Sequence, residues 1–234
     1  MSSATGPRPG GKRAFAGPDR RDLDDHERSL LLPSVADRWA RLDVLDLGVG
    51  TGRTWFAFGH RARSYVGLEV VPELARRAVR RTEGRAHVVI ADAAHLPFAD
   101  GRFDLVCFPF NGLDYSDPPT RGRILREVSR ALRPGGLFYF TTHSLEFLVD
   151  RARRAGRELE EIERQRASRL GPDADATAEI MVLRDDAGHG TCYVTHDWEL
   201  GELADTGFTL LGSCGEKCAA RGYLVQRPAA NSVA

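Results

Sequence analysis

Lysine is almost missing from this chain: of 234 residues only Lys12 and Lys217 are lysine, which leaves 31 of the 33 basic side chains as arginine. The basic residues are matched by 33 acidic ones. Without net charge the sequence lacks the positive surplus that binds nucleic acid by neutralising phosphates. No run of eighteen apolar residues occurs, which argues against a membrane-spanning helix. The opening stretch MSSATGPRPGGKRAFAGPDRR has no apolar middle of the kind a secretory signal needs, so a cytoplasmic protein without membrane or nucleic-acid partners is the expectation. Cysteine is scarce too. Cys107, Cys192, Cys214 and Cys218 offer one close pair and no zinc-finger spacing, and reduced thiols are expected.

What is present is one domain's worth of chain. Residues 1–22 mix Gly, Pro, Ser and Arg with few large apolar groups and read as a disordered tail; a single domain is expected over 23–228, with 229–234 as a C-terminal tail. Leu30, Leu31, Val35 and Trp39 recur at helical spacing, with Pro33 as a break or kink. Short apolar runs then alternate with Arg-rich helical segments. The runs are Val44–Leu47, Tyr65–Leu68, His87–Ala91, Phe103–Phe108 and Leu137–Thr141; the helix candidates are 53–62, 72–82 and 119–132. Strands apolar throughout are buried on both faces, and this pattern predicts a doubly wound α/β domain with a parallel sheet.

Beyond Thr142 the character changes. Residues 144–170 form a charged helix candidate with one narrow apolar stripe, Leu145, Leu148, Ala152, Ala155, Leu159 and Ile162. The stretch 171–176 breaks it. Strand-like Glu179–Leu183 and Thr191–Thr195 flank a turn at 185–188, a helix follows at 197–206, and Phe208–Leu211 and Tyr223–Gln226 read as the last strands. The helix and hairpin of 144–196 could be a lid, a homodimer contact or a fixed edge.

The sharpest local feature is VLDLGVGTGR, residues 44–53, after the first strand. A glycine-rich turn there lets backbone approach a ligand and presents N–H groups at the next helix. A dinucleotide fingerprint needs glycine where Arg53 stands, and Asp46 would repel a phosphate. Asp46, Gly48, Gly50 and Gly52 instead match D-x-G-x-G-x-G, and the chain here resembles the class I S-adenosylmethionine-dependent methyltransferases. Their cofactor is cationic and suits an acid beside the loop. The resemblance continues through VGLEV at 66–70, ADAAHLPFADGRFDLV at 91–106 and RALRPGGLFYFTTHS at 130–144. It implies a Rossmann-like, seven-stranded, mostly parallel sheet with helices on both faces, and S-adenosylmethionine as cofactor. It further implies that Glu69 accepts both ribose hydroxyls, that Asp92 accepts from the adenine amino group beside the Ala93 N–H, and that Val70 and Phe108 line the same site.

In parallel sheets the loop after Phe103–Phe108 faces the ligand. Its sequence, FPFNGLDYSDPP, lacks the prolines an amino-methylating (Asp/Asn)-Pro-Pro motif would place after Asn111; the later Asp117-Pro118-Pro119 reads as a helix start. Together with Thr142-His143, Tyr193-Val194-Thr195 and Gly207-Phe208, the Asn-Gly-Leu-Asp-Tyr stretch is similar to a small-molecule subgroup of that family. The chemistry implied is in-line methyl transfer to N or O of a small acceptor without metal. Asn111 and Tyr115 would hold acceptor or cofactor, His143 would be the general base, and Tyr193, with His196, would close over the acceptor. Asp114 reads as a loop-shaping residue. Two alternatives stay open: ring closure of the cofactor's aminobutyryl chain, releasing methylthioadenosine, and a cofactor-binding regulatory protein without turnover.

Overall fold

The computed structural model describes residues 21–154, 179–184 and 190–229. Most of the two expected tails, the far part of the 144–170 helix, the 171–176 break and the 185–188 turn lie outside the described residues. The strands are β1 (Asp43–Leu47), β2 (Ser64–Glu69), β3 (His87–Ile90), β4 (Phe103–Phe108), β5 (Leu132–His143), β6 (Ile180–Arg184), β7 (Gly190–Val194), β8 (Thr209–Cys214) and β9 (Ala220–Gln226). The helices are α1 (Leu32–Val35), α2 (Arg53–Ala57), α3 (Pro72–Arg81), α4 (Pro118–Ala131), α5 (Leu145–Arg154) and α6 (His196–Asp205). Seven strands make one sheet in the order β3-β2-β1-β4-β5-β9-β8. All neighbours are parallel except β9, which is antiparallel to both β5 and β8. No described helix is long and apolar enough to cross a membrane.

The unbroken apolar runs have a structural reason. Successive residues point to opposite faces, so Leu45, Leu47, Val106, Phe138 and Phe140 join one buried cluster with Leu125 and Val128 of α4. Val44, Leu105, Leu137 and Tyr139 join the other, with Leu31, Val35, Trp39 and Phe58. Both faces are covered, and the strand order reverses between β1 and β4. The carboxyl ends of those two strands therefore flank the crevice where such sheets bind ligands.

Four elements depart from the sequence reading. The expected 53–62 helix stops at Ala57 and resumes as a 3-10 turn, Gly59–Arg61. There the Tyr65 ring fills the space a Gly59 Cβ would occupy, at 2.5 Å. β5 starts at Leu132 instead of Leu137, because Pro134-Gly135-Gly136 is absorbed in a bulge opposite Phe103 and Leu105. The expected Phe208–Leu211 strand begins at Thr209 and runs on to Cys214. The last strand, expected from Tyr223, begins at Ala220. Two local signals agree with the structure: a π-helical turn, Glu27–Leu31, hands over to α1 with Pro33 in its first turn, and Asp117 caps α4 by accepting from the Thr120 N–H at 2.8 Å.

At the sheet's other end, Asp43 starts β1 almost fully buried. Its carboxylate accepts from Arg63 at 3.0 Å, from the Ser64 hydroxyl at 2.6 Å and from Arg133 at 2.9 Å, and pairs with Arg102 at 2.8 Å. The bond from Arg63, above all, holds its pKa well below the usual carboxylate range against the opposing effect of burial. A depressed folded pKa contributes stability above the unfolded value of about 3.9 and loses it as the pH falls. The arginines are partly exposed, so Asp43→Asn should cost about 1–2 kcal/mol at pH 7 in urea unfolding. The deficit should shrink below about pH 4.

Candidate functional site

After Leu47 the chain turns through Gly48, Gly50 and Gly52, whose φ values of 62°, 56° and 85° are left-handed. A side chain at Gly48 would strike the Phe108 ring at 3.0 Å, whereas one at Gly52 would make ordinary contact with Ala78 of α3 at 3.5 Å, so there the left-handed backbone is the constraint. Gly50 has only a carbonyl of its own loop within 4 Å, so its outer side is open. Glu69, at the end of β2, ties this loop down. One carboxylate oxygen accepts from the Gly50 N–H at 2.9 Å and the other from the Val71 N–H at 2.9 Å. Burial pushes its pKa up and these backbone donors pull it down, burial prevailing. The lone pairs left on both oxygens can accept from a vicinal diol. Val70 beside it is exposed.

Asp46, expected next to a cationic ligand, is buried beneath the loop. Its Oδ2 accepts from the Tyr65 hydroxyl at 2.5 Å and from the Thr54 hydroxyl, while Oδ1 has no partner among the described residues. Asp92 forms an Asx turn, accepting from the Ala94 N–H at 2.8 Å, with its exposed carboxylate 3.7 Å from His95 Nδ1. Ala93 sits half-buried within that turn.

The loop after β4 is the strained part of the site. Phe110 and Asn111 are successive non-glycine residues with φ of 56° and 57°. Such backbone costs about 1–3 kcal/mol per residue and persists only where its surroundings enforce it. The Asn111 N–H donates to Thr141 on β5 at 2.9 Å, and its side-chain oxygen is buried without a partner among the described residues. A 3-10 turn, Gly112–Tyr115, follows with Gly112 against the Phe108 ring. The turn sends Asp114 inward and leaves Tyr115 half-exposed.

Asp114 is the site residue that the sequence reading missed. Its Oδ2 accepts from the His143 N–H at 2.6 Å and lies 2.9 Å from His143 Nδ1, and its Oδ1 accepts from Arg121 at 2.6 Å. Arg121 also donates to Glu199 at 2.7 Å and to Glu202 at 3.2 Å, both on α6. A sequence signal existed only for Glu199, which shares a helical stripe with Leu203. The Tyr193 ring lies 4.9 Å from that of His143. Its hairpin is held by the Cys192 thiol donating to the Ser116 carbonyl at 3.1 Å. Burial raises the Tyr115 pKa, with smaller effects from Asp114 and Tyr193. Tyr115, His143 and Tyr193 are thus gathered around one buried carboxylate. His196 stands apart, its ring nitrogen 3.1 Å from the Tyr223 hydroxyl. A second missed residue, Arg53, is clasped by Glu27 from before α1 and lies over the Phe110 ring at 4.4 Å.

Burial raises the Asp46 pKa to about 6, against hydrogen bonds from Thr54 and Tyr65. A folded pKa above the unfolded value means that wild type loses stability as the pH rises between about 4 and 6. Asp46→Asn keeps an acceptor for both hydroxyls and has no proton to lose. It should gain about 1–3 kcal/mol on wild type across that interval, read as the difference between their urea midpoints at each pH.

A model of a methyltransferase domain matches residues 44–136, from β1 to the Pro-Gly-Gly bulge. An uncharacterized methyltransferase of Mycolicibacterium gilvum is 40% identical over 97 residues, 41% of this chain and 37% of that one. Sarcosine/dimethylglycine N-methyltransferase of Halorhodospira halochloris is 36% identical over 104 residues, 42% of this chain and 36% of that one. The chain thus spans about two fifths of the length of the curated relatives it matches. The crystal structure of Burkholderia thailandensis 1,6-didemethyltoxoflavin-N1-methyltransferase, with bound 1,6-didemethyltoxoflavin and S-adenosylhomocysteine, has the same fold. Its TM-score is 0.60 at 19% identity, over 86% of this chain and 76% of that chain. The glycine loop, the sheet order and the matched domain agree: residues 44–136 are similar to a methyltransferase domain, within a sheet that shares its fold with the solved methyltransferase.

Proposed function

We propose that this chain transfers the methyl group of S-adenosylmethionine to nitrogen or oxygen of a small-molecule acceptor, with His143 as general base. The observation that carries the reading is the coupling of Glu69 to the glycine loop. It fixes a buried carboxylate with spare lone pairs beside a backbone turn whose outer side is open. The residues present fit the cofactor: Glu69 suits its ribose hydroxyls, and Asp46 and Asn111 each keep a buried, unpartnered acceptor oxygen for a donor-rich ligand. Asp92 and Ala93 would meet the adenine, with Val70 and Phe108 as apolar neighbours. When bound, the cofactor supplies an electrophilic methyl group on a sulfonium.

The chain's own work is alignment and proton removal. Asn111, Tyr115 and Tyr193 border the place where an acceptor would sit, and His143 stands between the two tyrosines' elements with Nδ1 facing Asp114. A small acceptor is supported by the balanced charge of the chain. It is supported also by relatives named for sarcosine/dimethylglycine and 1,6-didemethyltoxoflavin.

Incubation with S-adenosylmethionine and a metabolite extract tests the reading through its sulfur by-product. Adenosylhomocysteine is expected; methylthioadenosine would show that the cofactor's own chain reacts instead. Glu69→Ala should weaken S-adenosylmethionine binding by about 1.5–3 kcal/mol in calorimetry, the scale of hydrogen bonds to a charged group, and unchanged affinity refutes the ribose assignment. His143→Ala should retain cofactor affinity while turnover falls about 100-fold or more, and full activity would remove it from the chemistry.

A further inference from the structure

We propose that the buried cluster around Arg121 is a positioning device for His143 and selects a protic acceptor, a hydroxyl or an N–H group. In it Asp114, held by Arg121, keeps the imidazole proton on Nδ1 and leaves the Nε2 lone pair for the acceptor. The acceptor class rests on the methyltransferase reading above; the positioning role rests on geometry alone. Three donors converge on the Asp114 carboxylate: the His143 N–H at 2.6 Å, Arg121 at 2.6 Å and the ring nitrogen Nδ1 at 2.9 Å. Asp114 and Arg121 have no exposed side-chain surface. An ionised carboxylate only accepts, so the ring nitrogen beside it carries the proton, and the opposite nitrogen presents its lone pair.

Asp114, Glu199 and Glu202 all bond one guanidinium, which leaves negative charge in excess. Burial pushes Glu199 up to about 8, so at neutral pH it holds a proton. Asp114 and Glu202 then face Arg121 with one negative charge over. In the reaction the acceptor's lone pair makes the new bond to the methyl carbon as the carbon–sulfur bond breaks with its electron pair left on sulfur. The acceptor's proton passes to Nε2. A tertiary amine or thioether would bring no proton for this arrangement to receive.

Asp114→Asn probes the device because Arg121 can only donate. The His143 N–H can only donate as well, so the two compete for the single remaining amide oxygen and the carboxylate that fixes the proton on Nδ1 is lost. The test is nitrogen-15 NMR of the full chain with labelled histidine, at a pH where the imidazole is neutral. Wild type should show His143 protonated on Nδ1, and Asp114→Asn should weaken that preference in favour of Nε2. Turnover of the variant should fall at least about 100-fold with KM changed less than about threefold. Wild-type His143 protonated on Nε2 overturns the positioning role, and this spectrum decides alone if the variant does not fold.

The acceptor class is read from product mass in a metabolite extract supplied with S-adenosylmethionine. A protic acceptor gains CH2 on exchanging hydrogen for methyl, whereas an aprotic one gains CH3 and a permanent positive charge, which would overturn the assignment. If no adenosylhomocysteine forms, the methyltransferase reading fails and the acceptor class with it. The tautomer then still decides the positioning role.

Discussion

Arg121 carries its charge with no surface open to water, and three carboxyl groups from two separate elements meet it there. Burying an ion costs several kcal/mol, recovered only when its partners are in place; removing one partner of a buried pair costs about 3–5 kcal/mol. The 3-10 turn, the first turn of α4 and the inner face of α6 are therefore locked together by this guanidinium. That lock has a consequence on the acceptor side. Asp114 holds both the backbone and the ring of His143, so the general-base candidate takes its place from electrostatics more than from apolar packing. The left-handed pair Phe110-Asn111 is sustained by the same arrangement, pinned by Thr141 at one end and by the Asp114 turn at the other.

The cofactor side is built on backbone hydrogen bonds instead. Glu69 fastens Gly50, and Asp46 fastens the first turn of α2 to β2 through Thr54 and Tyr65. Arg53 joins the two halves. Glu27 clasps it from the N-terminal helical segment, and its guanidinium covers Phe110 on the acceptor loop. A shift of the glycine loop would reach the acceptor loop through that contact, and the distance between reacting groups is a quantity to which methyl transfer is sensitive.

Much of this was legible in the sequence where the signal is local. Apolar runs marked strands covered on both faces, alternate glycines marked the left-handed loop, and Asp117-Pro118-Pro119 was separable from a methylation motif because it opens a helix. What escaped was long-range. Asp114 and His143 are 29 residues apart and Arg121 and Glu199 are 78 apart, and no periodicity records such pairs. Asp114 has the composition of a turn residue and Arg121 that of a solvated helix face until the fold brings them together. The break in α2 had the same origin, since the Tyr65 ring that fills the space at Gly59 comes from the next strand.

The most direct test of the central claim is a crystal structure of the chain with S-adenosylhomocysteine. The account expects the ribose hydroxyls on Glu69, the glycine loop otherwise unmoved, and His143 still bound through Nδ1 to Asp114 with Nε2 facing the space beyond the sulfur. A ribose bound away from Glu69, or a His143 ring turned so that Nε2 meets Asp114, would contradict it.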